Sequence, residues 1–340
     1  MTLITYPTRV HFADGVLEEA LHSELERIQG SRFMLVCHNR AADGELMDRV
    51  LGGLPRRTTL DHVVFSDATN LRTRAYEIAK TPVRPDAIIA FGSSKAIEFG
   101  RKIRFTIDRA TGGRADLFGI PAVDGLPDPC QRKLESKQAG LPSVVICDPT
   151  VIMGASEIES RHAANMSLIR CIEAYLSGDY NPPADGIALD GLSRCLSSLH
   201  KIGEQSGLEQ YREVMAAGLN AFLSQEKGVG PAQTMTESML GNAPKAQRAA
   251  IARLVLPGVL RSRAMDGEKA YVLGKVLSEV QEPLAEVTLR ILSNGEMPRT
   301  LADIGVPHEA LDPAAKSVVG HSGLTFKKAR SVLAKAYEGN

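Results

Sequence analysis

From residue 1 to about residue 150, short apolar or β-branched runs alternate with amphipathic stretches, and turn-forming residues bound most of the runs. That rhythm predicts a parallel sheet flanked by helices. Arg32-Phe33-Met34-Leu35-Val36-Cys37 follows the polar Gln29-Gly30-Ser31, His62-Val63-Val64-Phe65 precedes Ser66-Asp67, and Asp86-Ala87-Ile88-Ile89-Ala90-Phe91 runs into Gly92-Ser93-Ser94. Leu117–Pro121 and Ser143–Cys147 complete the set, the second stopped by Asp148-Pro149.

Beyond Pro149 the strand signals fade and the periodicity turns helical. Ser156-Glu157-Ile158-Glu159 has the form of a capping box, in which two side chains satisfy the free amides of a first helical turn. Further helices are expected over 187–199, 208–223, 245–255, 268–280 and 283–292, with turns at Asn181-Pro182-Pro183 and Lys227-Gly228-Val229-Gly230-Pro231. The expected organisation is an α/β domain over 1–152 and a helical domain over 153–340, a length suited to two cores. The segment 109–137, with Thr111-Gly112-Gly113 and Pro127-Asp128-Pro129, is the most loop-like and could border a cleft.

Composition narrows the partners. Lys plus Arg and Asp plus Glu number 40 each, so no net field gathers nucleic acid or an anionic membrane, and a small molecule is the expected partner. No apolar run approaches the ~20 residues of a membrane span, and the opening residues carry no secretory pattern, which predicts a cytoplasmic protein. A homodimer is compatible with this composition. Cys37, Cys130, Cys147, Cys171 and Cys195 are scattered without a C-x-x-C pair, which predicts buried thiols rather than disulfides or a zinc knuckle.

Three stretches together resemble the iron-containing alcohol dehydrogenase family, most closely its maleylacetate reductase branch. They are Tyr6–Gly15 with a helix from Leu17; Asp86–Ile103, similar to D-x-I-I-A-x-G-G-G-S-x-x-D-x-A-K-x-I; and Cys147-Asp148-Pro149 through Ile172-Glu173-Ala174-Tyr175, similar to D-P-x-L and H-A-I-E-A-Y. Leu254-Val255-Leu256-Pro257-Gly258-Val259 adds L-L-P-x-V. The resemblance implies a Rossmann-like parallel-sheet domain followed by an all-helical domain, a dehydroquinate synthase-like fold.

It also implies where a site would lie, and there the chain departs from the family. The family's metal-ligand positions fall on Met166, Arg170, Thr234 and Arg248, none of them a carboxylate or imidazole, so no metal is expected. The family's G-G-G-S reads Gly92-Ser93-Ser94-Lys95, which keeps one glycine but adds hydroxyls and a cation suited to phosphate, so NAD or NADP remains an open expectation. The second phosphate-facing loop retains only Pro121 and Gly125 of its pattern. His38, after the first strand of the nucleotide-type unit, is placed by the resemblance near an adenosine ribose or on the surface.

Arg170 and Arg248 would converge where the family holds a dication. They would either clamp a carboxylate or phosphate or pair with acids such as Glu173 and Glu237. His162 is the best-placed imidazole for proton transfer, its alternative being a structural role. Two functions follow: a metal-independent NAD(P)-dependent reductase of a small anionic carbonyl or enone, or a non-redox enzyme, binding or regulatory protein on the same scaffold, with an anion site at the family's metal position.

Overall fold

The computed structural model describes residues 8–82, 84–113, 115–122, 126, 142–202, 207–243, 246–263, 267–277, 281–293, 297–320 and 323–339. The chain divides into two compact units, one of Leu3–Ser160 with Gln205–Met215, the other of Arg161–Glu204 with Ala216–Asn340.

The first unit is an α/β layer structure. Its elements run β1 (Arg9–Phe12), α1 (Leu17–Ile28), β2 (Arg32–His38), α2 (Glu45–Gly52), β3 (Thr59–Phe65), α3 (Leu71–Lys80), β4 (Ala87–Gly92), α4 (Ser94–Thr111), β5 (Asp116–Pro121) and β6 (Val144–Cys147). The strands form one sheet in the order β1-β6-β5-β4-β2-β3, every pair parallel. Central strands of a parallel sheet are covered on both faces, which is why β2, β4 and β6 read as continuous apolar runs rather than alternating ones. One face packs Phe33, Leu35, Ile89, Phe118 and Ile146 against Leu17, Leu21 and Leu25 of α1. On the other, Gly100 lets α4 lie close, since a Cβ there would stand 2.7 Å from the Cβ of Ala90. β3 begins at Thr59, three residues before the expected start. Its outer rows are polar because it is an edge strand, and Asp61 pairs with Arg32 of β2 at 2.9 Å.

Asp148, at the end of β6, is fully buried and accepts hydrogen bonds from the amides of Gly15 (2.8 Å) and Leu17 (3.1 Å) and from Arg49 (2.7 Å). It thereby ties the turn before α1 to the opposite end of the sequence stretch.

The second unit is helical: α5 (Glu157–Tyr175, its first turn counted with the α/β unit), α6 (Pro182–Lys201), α7 (Leu208–Ser224, shared between the units), α8 (Pro231–Leu240), α9 (Arg248–Ser262), α10 (Gly267–Val276), α11 (Leu284–Leu292), α12 (Leu311–Ser317) and α13 (Phe326–Glu338). The capping box is formed as expected, with Ser156 donating to Glu159 at 2.7 Å and the Glu159 amide returning to Ser156 at 3.4 Å. Two turns need correcting, because Pro was read there as a breaker. Pro182 and Pro183 open α6 behind Asn181, whose side chain accepts from the Ala184 amide at 3.2 Å, and Pro231 opens α8. A first-turn proline loses an amide that has no helical partner anyway. The start of the helix expected from Lys245 and the end of the one expected to Val280 lie outside the described residues. Four cysteines, Cys37, Cys147, Cys171 and Cys195, are buried and unbridged, and burial pushes the Cys147 and Cys171 thiols up to about 12. Cys130 lies outside the described residues. No helix among the described residues is long and apolar enough to cross a membrane.

Candidate functional site

In the α/β unit the sheet order fixes one special place. From β2 the chain moves outward to β3, then returns to β4 on the other side of β2 and continues to β5 and β6. The winding direction reverses between β2 and β4, and in open doubly wound sheets ligands bind beyond the carboxyl ends of the strands at such a switch point.

Gly92-Ser93-Ser94-Lys95 lies at that point. Gly92 has φ +97°, a conformation that disfavours any side chain, so this one glycine is needed for the turn itself. Ser93 is the N-cap of α4, its hydroxyl accepting from the Ala96 amide at 3.4 Å, and Ser94 begins the helix. The positive end of an 18-residue helix thus faces the carboxyl end of β4.

His38 closes β2. It is buried, 9% exposed, and stands edge-on to Phe65. Its Nδ1 accepts from the Arg40 amide at 3.3 Å, which leaves Nε2 as the protonated nitrogen of a neutral ring. Nε2 lies 3.4 Å from Oδ1 of Asp67, in the turn after β3. The same carboxylate meets Lys95 Nζ at 3.2 Å and Arg40 Nη2 at 3.5 Å, and the Lys95 hydrogen bond first, with the Arg40 charge, holds it below the ordinary carboxylate range. Three expected residues, His38, Ser93 and Lys95, therefore stand around one corner with Gly92. Arg40 and Asp67 were missed. Asp67 follows a different strand from either motif, and its only sequence signal was the Ser66-Asp67 turn.

The helical unit holds the remaining candidates. His162 and Arg170 lie on α5, two helical turns apart, the first half-buried and the second 4% exposed. Arg248, at the first residue of α9, is gripped through two nitrogens by Glu237 of α8, Nε to Oε1 and Nη2 to Oε2, the latter at 3.1 Å. Glu173, one turn after Arg170, is spent on α8: it accepts from the amides of Ala232 (2.7 Å) and Gln233 (3.1 Å) and from the Gln233 side chain (3.1 Å). Burial, partly offset by those amide bonds, pushes its carboxyl up to about 6. Its approach requires Gly230, where a Cβ would come within 2.2 Å of the Glu173 carboxyl carbon. Arg253, also on α9, is a buried cation that the motif reading missed. It is 4% exposed and donates to the Pro298 carbonyl.

The four positions carried over from the family's metal site do not suit a divalent ion. Met166 packs into the apolar core, the Thr234 hydroxyl donates to the Gly230 carbonyl at 2.9 Å, and neither guanidinium has a lone pair to give. Among the described residues no group of three or more His, Cys, Asp or Glu side chains is placed to hold an ion.

No family profile matches the chain. It is 23% identical to a 4-hydroxybutyrate dehydrogenase of Cupriavidus necator over an alignment 378 positions long, with 97% of each chain covered. Among solved structures, maleylacetate reductase from Rhizobium sp. strain MTP-10005 superposes with a TM-score of 0.78 at 20% identity, over 99% of this chain and 98% of that one. An iron-containing alcohol dehydrogenase from Corynebacterium glutamicum does so with a TM-score of 0.78 at 18% identity, over 100% and 98%. The six-stranded parallel sheet with its helices is the fold of those enzymes. Relatives and structural neighbours alike point to the iron-containing alcohol dehydrogenase superfamily, maleylacetate reductases included.

Proposed function

We propose that the chain is an NAD(P)-dependent reductase of a small anionic carbonyl or enone that works without a metal. The observation that carries the reading is the Gly92-Ser93 turn at the sheet's switch point, where the N-terminus of α4 and the cation of Lys95 suit a dinucleotide's phosphates. The relatives, named as a hydroxybutyrate dehydrogenase and a maleylacetate reductase, act on small anions by their names and support an oxidoreductase on this scaffold.

A bound nicotinamide would supply the hydride. The protein's part is then to hold and polarise an anionic substrate. Arg170, which is buried, would offer positive charge to a carboxylate or a developing alkoxide while sharing its donors with the interactions it already makes. Arg248 would share that task to the extent that a substrate oxygen can compete with Glu237 for its donors. His162 would return a proton to the reduced oxygen.

The second reading is a non-redox enzyme, or a binding or regulatory protein. Glu237 favours it, since one of the two candidate arginines already has a carboxylate on two of its nitrogens.

Titration of the purified protein with NADH and NADPH, read by nicotinamide fluorescence, separates the two. The reductase reading expects saturable binding by at least one, abolished in a folded Ser93→Leu variant that crowds the turn. Absence of binding by both would leave the second reading standing.

A further inference from the structure

We propose that the corner formed by His38, Arg40, Lys95 and Asp67 is a 2′-phosphate subsite, so that the protein selects NADP(H) over NAD(H). The inference rests on the nucleotide reading above and adds to it which dinucleotide is taken.

The argument begins with what an adenosine ribose meets in a doubly wound sheet. A carboxylate near the end of the strand beside the phosphate-binding strand accepts the 2′-hydroxyl of NAD, whereas an arginine there accommodates the 2′-phosphate of NADP. Beside β4 that strand is β2, and it runs out through His38-Asn39-Arg40 before its first carboxylate, the exposed Asp43, whose charge reaches back to Cys37. The acid in contact with His38, Arg40 and Lys95 is Asp67, one strand further out, and its oxygens are already engaged. Oδ1 faces Lys95 Nζ at 3.2 Å and His38 Nε2 at 3.4 Å, and Oδ2 faces Arg40 Nη2 at 3.5 Å. A 2′-hydroxyl would have to compete with two full cations for that carboxylate.

A 2′-phosphate finds the opposite. Arg40 and Lys95 each carry a permanent charge against the single charge of Asp67, so these three side chains together are net positive before any ligand arrives. Their side chains are 82% and 46% exposed, so both can turn from Asp67 to a phosphate oxygen at little cost. His38 adds a donor that is fixed rather than adjustable. Its ring is held by Phe65 and by the Arg40 amide, and its Nε2 is buried with no hydrogen-bond partner closer than the 3.4 Å contact to Asp67. A phosphate offers three acceptor oxygens to these three donors. In this scheme Asp67 holds the donors in place while the subsite is empty and opposes the phosphate once it arrives.

The test uses the full-length protein and fluorescence titrations with NADPH and NADH, with 2′,5′-ADP and 5′-AMP as competitors. NADPH should bind at least ~10-fold more tightly than NADH, and 2′,5′-ADP should compete better than 5′-AMP. Arg40→Ala, at an exposed position, should weaken NADPH and 2′,5′-ADP roughly 10- to 100-fold, the range of a charge-assisted hydrogen bond, and leave NADH within about twofold. Asp67→Asn should tighten NADPH while NADH stays the same or weakens. NADH binding as tightly as NADPH, or Arg40→Ala weakening both equally, overturns the subsite while the nucleotide reading survives. Failure of both dinucleotides to bind overturns that reading and the subsite with it.

Discussion

The corner at the end of the sheet and the α5, α8 and α9 neighbourhood both gather acids and cations, but they do so under different dielectric conditions. Around Asp67 the carboxylate and its two permanent cations are between 46% and 82% exposed, and their contacts run from 3.2 to 3.5 Å. In the helical unit Glu173 is 3% exposed and accepts three hydrogen bonds, and Glu237 and Arg248 interlock through two pairs of atoms. Water can stand in for a lost partner in the first place and not at Glu173. Exposed pairs contribute little to stability and can release their donors to an incoming anion, while a buried carboxylate must stay satisfied. The first cluster therefore has the properties of a binding surface, and the second those of a structural joint.

The widest gap between the two should appear on deleting an acid from each. Glu173→Ala leaves two backbone amides at the start of α8 without their acceptor, and should cost about 3 to 5 kcal/mol in urea unfolding. Asp67→Ala should change stability by less than about 0.5 kcal/mol. Equal losses would erase the distinction.

A pH series sharpens the same contrast. The Glu173 carboxyl is raised in the folded state to about 6 from 4.5, so between those values the native protein holds the proton more tightly than the unfolded chain. Its contribution favours the folded state below pH ~4.5 and is lost as pH rises towards 6, a difference of roughly 2 kcal/mol. Subtracting the unfolding profile of Glu173→Gln from that of the parent should expose this slope. Parallel profiles would mean that the amides of Ala232 and Gln233 already outweigh burial. A smaller effect than that of Glu173 belongs to Arg248 and Glu237, whose side chains are 20% and 32% exposed. A double-mutant cycle with Arg248→Ala and Glu237→Ala should return a coupling of about 0.5 to 1.5 kcal/mol, and a coupling near zero would detach Arg248 from the joint.

The difference in environment also governs what could be read in advance. The strands were legible because burial on both faces makes β2, β4 and β6 apolar at every position, and Gly92 was legible because the turn permits little else. The place of Arg170 and Arg248 followed from counting along matched segments. Glu237 was among the acids expected to pair with them, and it holds Arg248; the role of Glu173 was not legible, because it acts on backbone amides that carry no sequence signature. Asp67 stayed hidden because only the sheet order sets β3 beside β2 and so brings its turn to His38. Pro231 misled for a local reason: the same residue that breaks a helix from within opens one at its first turn.

The pairing of β1 with β6 has a consequence in time. Arg9 precedes its partner Val144 by about 135 residues, and Asp14 precedes its partner Arg212 by 198. At ribosomal speeds of roughly 5 to 20 residues per second, β1 waits about 7 to 27 seconds for its neighbour. Throughout that interval the nascent chain carries an unpaired strand able to join another chain's sheet edge. Slow synthesis or crowded polysomes should therefore harm the yield of this protein more than a sheet built from neighbours in sequence, and a chaperone that shelters the first fifteen or so residues would be its most useful companion during translation.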